Sequence, residues 1–194
     1  MRKFLLALIV PLLVVGCAGG GEKIEAIYTI TASTAPPPVA GSTSAQILVP
    51  EPRALKAFST EQIAVKPTEL TLSYYPSVAY QDTAPKVLQR VLLDTFQNTG
   101  RVRAVGLPGQ SLLINYQVVT EIRAFQAETF AGDRARVEVA VKLLNDANGR
   151  VIKEQVFTTT VPLPSDSAED AAIGINQAAQ ALAGDIVAWV LVAL

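Results

Sequence analysis

The chain contains no histidine, and that removes the Ser/His/Asp and Cys/His nucleophile pairs, the commonest general base and the usual zinc ligand. What is left for a hydrolase is carboxylate pairs or Ser with Lys, and the acids do not favour it. Glu121 and Glu128 fall on or near one predicted strand, while Asp166, Glu169 and Asp170 crowd the start of a predicted helix. Acids in a first helical turn ordinarily answer the positive end of the helix dipole. Asp146 and Asn148 before Gly149 have a faint look of a calcium loop, but the remaining EF-hand ligand positions are missing. Hairpin-turn chemistry accounts for them better. No Gly-rich phosphate or dinucleotide loop follows a strand and opens a helix. The expectation is a protein that is not an enzyme and carries no metal or cofactor.

One reactive side chain stands apart. Cys17 is the only cysteine, and it follows Arg2, Lys3 and an apolar run from Phe4 to Val15. A positive start, a short apolar middle and small residues at the cut are the parts of a secretory signal peptide. Pro11 interrupts the run, and it falls short of the roughly 20 apolar residues that span a bilayer. Val14-Val15-Gly16-Cys17 resembles the bacterial lipobox. The expectation is removal of residues 1–16, diacylglycerol in thioether linkage on Cys17, and acylation of the new amino terminus, with palmitate a typical chain. Each buried methylene adds about 0.8 kcal/mol of membrane affinity, so several chains together hold a protein firmly. A single cysteine also leaves no disulfide within the chain, and stability must come from the core.

Loss of Arg2 and Lys3 leaves 14 basic against 17 acidic residues, a net charge of −3. Nucleic-acid binding wants a basic stripe or patch, and none is present. The 178 residues after the cut suit one domain with a substantial apolar core. Residues 17–23 read as a lipidated cysteine with a short small-residue tether, and 24–194 as a single domain.

The elements follow from hydrophobic period. Ile24 to Thr31, Ile47 to Val49, Gln62 to Lys66 and Leu70 to Tyr75 read as short strands. The Pro-rich stretch Ala32 to Ala45 is a loop. Val87, Leu88, Val91, Leu92 and Phe96 recur at helical spacing, with Asp82 or Thr83 as cap, Pro85 in the first turn and Gly100 at the end. Arg101 to Val105 is extended. Ser111 to Ala127 alternates as one long strand, with Val118 and Ile122 on one face and Glu121, Arg123 and Phe125 on the other. Val137 to Leu143 and Val151 to Thr160 form a hairpin about Asn148-Gly149. A last helix begins near Ser167 and carries Ile175, Leu182, Ile186 and Trp189; its apolar end, Ile186 to Leu194, is too short to span a membrane and reads as core. Two helices against many strands predict an α+β two-layer sandwich with a mostly antiparallel or mixed sheet.

Strand alternation would put a cation, Arg123, and an aromatic, Phe125, together on the more polar face. Arg and aromatics are enriched at interface hot spots, which makes this pair a candidate partner-binding site. The competing arrangement has a helix over Phe125 and Arg123 paired with Glu121 or a neighbour.

In order along the chain, Cys17, Tyr28-Thr29-Ile30, Tyr80-Gln81-Asp82-Thr83-Ala84-Pro85, Val87 to Leu92, Phe96, Gly100-Arg101, Ile122 to Phe125, Val137, Val139, Gly149, Val151 and Phe157 resemble the ABC-type transport auxiliary lipoproteins, the PqiC-type components of MCE systems. Family members often have Trp where this chain has Tyr80. The resemblance implies a periplasm-facing lipoprotein that works with an MCE-domain protein, an ABC permease and its ATPase to move phospholipid or another hydrophobic molecule. It also implies the outer membrane, since Ala18 is not the Asp that favours inner-membrane retention. A homo-oligomer fits the same role. A structural or assembly lipoprotein, pilotin-like or an envelope scaffold, is the competing function. A lipid-anchored hydrolase is the third, disfavoured by the missing histidine.

Overall fold

The computed structural model describes residues 23–35 and 40–194. The elements are β1 (Ala26–Tyr28), β2 (Thr43–Leu48), β3 (Arg53–Ala54), β4 (Gln62–Lys66), β5 (Ser73–Tyr80), α1 (Ala84–Thr99), β6 (Val102–Gly106), β7 (Tyr116–Glu128), β8 (Arg134–Asn145), β9 (Val151–Pro162) and α2 (Ala168–Ala193). They build an open, mixed, nine-stranded sheet with two helices, an α+β sandwich as the periodicity predicts.

β7 is the spine. Along one side it takes β2, β3 and β4 in succession, all parallel, through Ile47↔Tyr116, Arg53↔Glu121 and Val65↔Ala127. The chain from Thr43 to Lys66 therefore runs beside β7 as one interrupted strand, broken where Pro50 and Pro52 lack the N–H a ladder needs. β6 flanks β2 in parallel, and β5 flanks β4 antiparallel with β1 outside it. On the other side β8 and β9 add an antiparallel hairpin. Its turn uses Asn145 and Asn148 side chains, which accept from Ala147 and Arg150 N–H, and Gly149 at φ +68°.

α1 starts at Pro85 in its first turn and stops at Gly100, whose φ of 59° is the left-handed geometry glycine tolerates and whose N–H bonds Gln97 O. Asp82 precedes it and accepts from Thr83 N–H at 2.7 Å, which holds its carboxyl below the ordinary range. α2 is capped by Ser167, whose hydroxyl accepts from Asp170 N–H. By length and composition α2 is long and apolar enough to cross a membrane, but half of its apolar window is buried. It packs on β8, β9 and α1, with Ile175, Leu182, Ile186 and Val190 facing the core, and so acts as the core helix.

Candidate functional site

The expected signal sequence (residues 1–16), Cys17 and most of the expected tether (residues 17–23) lie outside the described residues. Of the paired surface residues, the structure separates what alternation joined. β7 carries a bulge between Ile122 and Ala124, where Ile122 pairs with Val139 but Ala124 pairs with Glu138. Arg123 is the extra residue, and every later side chain changes face. Phe125 consequently joins Ile122 in the core at 1% exposure, against Val137. The expectation that it shares a polar surface with Arg123 is thus corrected, and the alternative of a buried Phe125 holds. Arg123 itself is exposed and makes no ion pair among the described residues.

Arg123 lines a cleft of about 310 Å³ on the sheet face away from the helices. Arg53 and Lys142 are the other cations there, Glu121 and Glu154 the anions, and Ala140 and Leu144 form part of the floor. Lys142 is drawn to Glu154 at 3.4 Å. β3 and β7 register Arg53 against Glu121, which explains how residues 68 positions apart in sequence share one cleft. Charged rims over an apolar floor suit a polypeptide partner whose side chains answer both signs.

Asp170 and Glu128 each have polar partners. Asp170 receives the Ser165 hydroxyl and sits in the first turn of α2 with Glu169. Glu128 is buried on the outer sheet face at 1% side-chain exposure, where it accepts two hydrogen bonds from Arg134, at 2.9 and 2.7 Å, and one from Gln126 at 3.1 Å. Arg136 lies 3.5 Å away and also binds Glu138. Burial alone would raise the Glu128 carboxyl, but the Arg134 and Gln126 hydrogen bonds and the two guanidinium charges outweigh it and hold the group below the ordinary carboxylate range. Among the described residues no group of three or more Cys, Asp or Glu is placed to hold a metal.

Sequence reading missed a second surface. Trp189 of α2 meets Phe157 of β9 edge to face, with centroids 5.7 Å apart, and Lys153 lies over the Trp189 ring at 5.8 Å. Asp185 and Ala188 complete the groove between β9 and α2. Its signal was available in Lys153, Gln155 and Thr159, which share the face of Phe157.

Fold and surfaces together define a two-layer α+β domain with charged clefts on an open sheet. The chain belongs to the ABC-type transport auxiliary lipoprotein component family, whose model matches residues 28–187. That is a family of transport components, not of enzymes. A relative in Bradyrhizobium diazoefficiens, the uncharacterized protein bll6063, is 24% identical over 177 residues, covering 91% of this chain and 48% of the relative. The chain thus spans about half the length of that curated relative. The crystal structure of protein XCC0632 from Xanthomonas campestris is 25% identical, covers 86% of this chain and 95% of its own, and superposes with a TM-score of 0.80. The PelC dodecamer from Paraburkholderia phytofirmans shares the fold at 15% identity, with a TM-score of 0.51 over 81% of this chain and 94% of that one.

Proposed function

We propose that this chain is a lipid-anchored, periplasm-facing accessory subunit of an MCE-type ABC transport system, moving phospholipid or another hydrophobic substrate across the envelope. The observation that carries this reading is the family match, which runs from β1 into the last turns of α2 and so takes in nearly the whole folded domain. Residues 1–16 are the signal peptide, Cys17 carries the lipid, residues up to 23 are the tether and 24–194 the working domain. Ala26 lies nine residues after Cys17, so even a fully extended connection keeps β1 within about 30 Å of the anchor. An outer-membrane position follows from the residue after Cys17. ATP hydrolysis belongs to the ATPase subunit. This chain contributes a docking surface, and the cleft around Arg123 is where an MCE-domain protein or permease is met.

The test is a pull-down of the tagged full chain from detergent-solubilised membranes, with co-purified proteins identified by mass spectrometry. Recovery of an MCE-domain protein with its permease and ATPase is the expected result. Secretion or envelope-scaffold components in their place would overturn the transport reading in favour of an assembly lipoprotein.

A further inference from the structure

β9 ends one side of the sheet. It pairs with β8 alone among the described residues, over 12 residues, so its outward N–H and C=O groups form an open row. Edge strands of this length ordinarily carry protection such as a mid-strand proline, a twist-inducing bulge or inward charges. β9 has its only proline at its last position, its one irregularity at Ile152, near the start, and Lys153 as its single charge on the helix-facing side. Val151, Ile152 and Val156 are 50%, 43% and 43% exposed. Beside the edge runs the groove of about 470 Å³ against α2, with Phe157 and Trp189 as apolar wall and the exposed carboxylate of Asp185, which has no ion pair among the described residues.

We propose that β9 is an interface with a second copy of this chain, the two strands pairing antiparallel about a two-fold axis at Gln155. Continuing one sheet across such an axis keeps each face on its own side, so only residues of equal parity can stand opposite each other. Registers centred on Lys153 or Glu154 set like charges against each other, which is unfavourable. Centring on Gln155 sets Lys153 opposite Phe157 of the second copy. Lys153 is on the helix-facing side, opposite Leu143, and its ammonium already lies over an aromatic ring. In the pair it enters the other copy's groove, where Asp185 is the unanswered charge and Phe157 and Trp189 the walls. The arrangement is isologous, so the same contact forms twice. Val156 then faces Glu154, and Ile152 faces Thr158, covering two of the three apolar residues the edge leaves exposed.

This goes beyond the proposed function, giving a contact to the homo-oligomer that the family resemblance implies, and is independent of the transported molecule. The full chain in detergent is compared with Lys153→Glu, Asp185→Lys and the double variant by native mass spectrometry across concentration, with circular dichroism to establish folding. A dimer is expected, weakened roughly tenfold or more by either single reversal and restored by the double. As a second measurement, Gln155→Cys is expected to cross-link to itself on oxidation, because directly opposite strand residues lie within disulfide reach. Thr160→Cys, about 30 Å from its own copy in this register, is not. A chain that stays monomeric, an oligomer indifferent to both reversals, or a head-to-tail ring in which Cys at 155 does not cross-link would each overturn the proposal. Recovery of the transporter subunits by the Lys153→Glu chain separates this outcome from failure of the transport reading.

Discussion

The ring of Tyr80, at the end of β5, meets the ring of Phe125 on β7 edge to face, with centroids 5.7 Å apart and planes at 75°. The contact ties the segment that leads into α1 to the far half of the central strand. Both residues are at or below 2% exposure. The edge-to-face contact gives the Tyr80 ring an aromatic partner within the core.

Phe125→Ala is therefore expected to destabilise the domain by about 3–5 kcal/mol, the cost of an emptied aromatic site in a packed core. Urea unfolding measures it. A loss below about 1 kcal/mol would mean that Phe125 lies at a surface after all. Tyr80→Phe has a different expectation. The Tyr80 hydroxyl is buried with no hydrogen-bond partner among the described residues, and burial pushes the phenol far above its ordinary value, so it stays neutral. Removing an unpaired polar atom while keeping the ring is expected to be neutral or stabilising.

Much of the fold was legible, because the elements rest on local signals. Pro85 and Gly100 bracket α1, Ser167 caps α2, and Asn148-Gly149 turns the β8–β9 hairpin. What was not legible depends on pairing. A single bulged residue at Arg123 reverses the faces of β7, and alternation counted through it puts Phe125 on the wrong side. β5 was expected over Leu70 to Tyr75, yet it is Ser73–Tyr80, with Leu70 96% exposed. One residue between Gln62 and Ala64 on β4 faces four between Tyr74 and Ala79 on β5, a stretch that holds Pro76 and Ser77 at a positive φ of 58°. Tyr116 opens β7 later than the expected Ser111, after Ser111 takes a positive φ of 54°. The Arg123 cleft was half legible: its own charge was visible, whereas Arg53 and Lys142 come from neighbouring strands.

Arg123→Glu is expected to lower co-purification of partner proteins at least several-fold while leaving unfolding free energy within about 0.5 kcal/mol, as befits an exposed side chain. The two readouts separate contact from core. Unchanged recovery of partners alongside unchanged stability would remove this cleft from the docking surface.

Cys17→Ser is expected to leave the domain folded, with an unchanged thermal transition, and to release it from sedimenting membranes. Attachment through surface charge would be lost in high salt, whereas acyl chains in the bilayer are indifferent to it. Tight membrane association of the serine variant in high salt would therefore point to an anchor other than lipid.

Glu128 makes the acid limb of stability predictable. Its folded carboxyl titrates below the ordinary value of 4.5 because Arg134, Gln126 and Arg136 favour the charged form more than burial disfavours it. A depressed folded value means the unfolded chain binds the proton first. The stabilisation is therefore fully present above about pH 4.5 and is lost as pH falls through the lower folded value. Glu128→Gln removes that part of the pH dependence. It is also expected to cost about 1.5–3 kcal/mol at neutral pH, the range for hydrogen bonds to charged groups. Arg134 and Arg136 keep 35% and 38% side-chain exposure and can recover some hydration, which limits the cost. Denaturant titrations of both chains between pH 3 and pH 7 test this. The wild-type advantage should shrink as the solution is acidified. A constant difference across that range would show that the Glu128–Arg134 pair contributes through packing and not through charge.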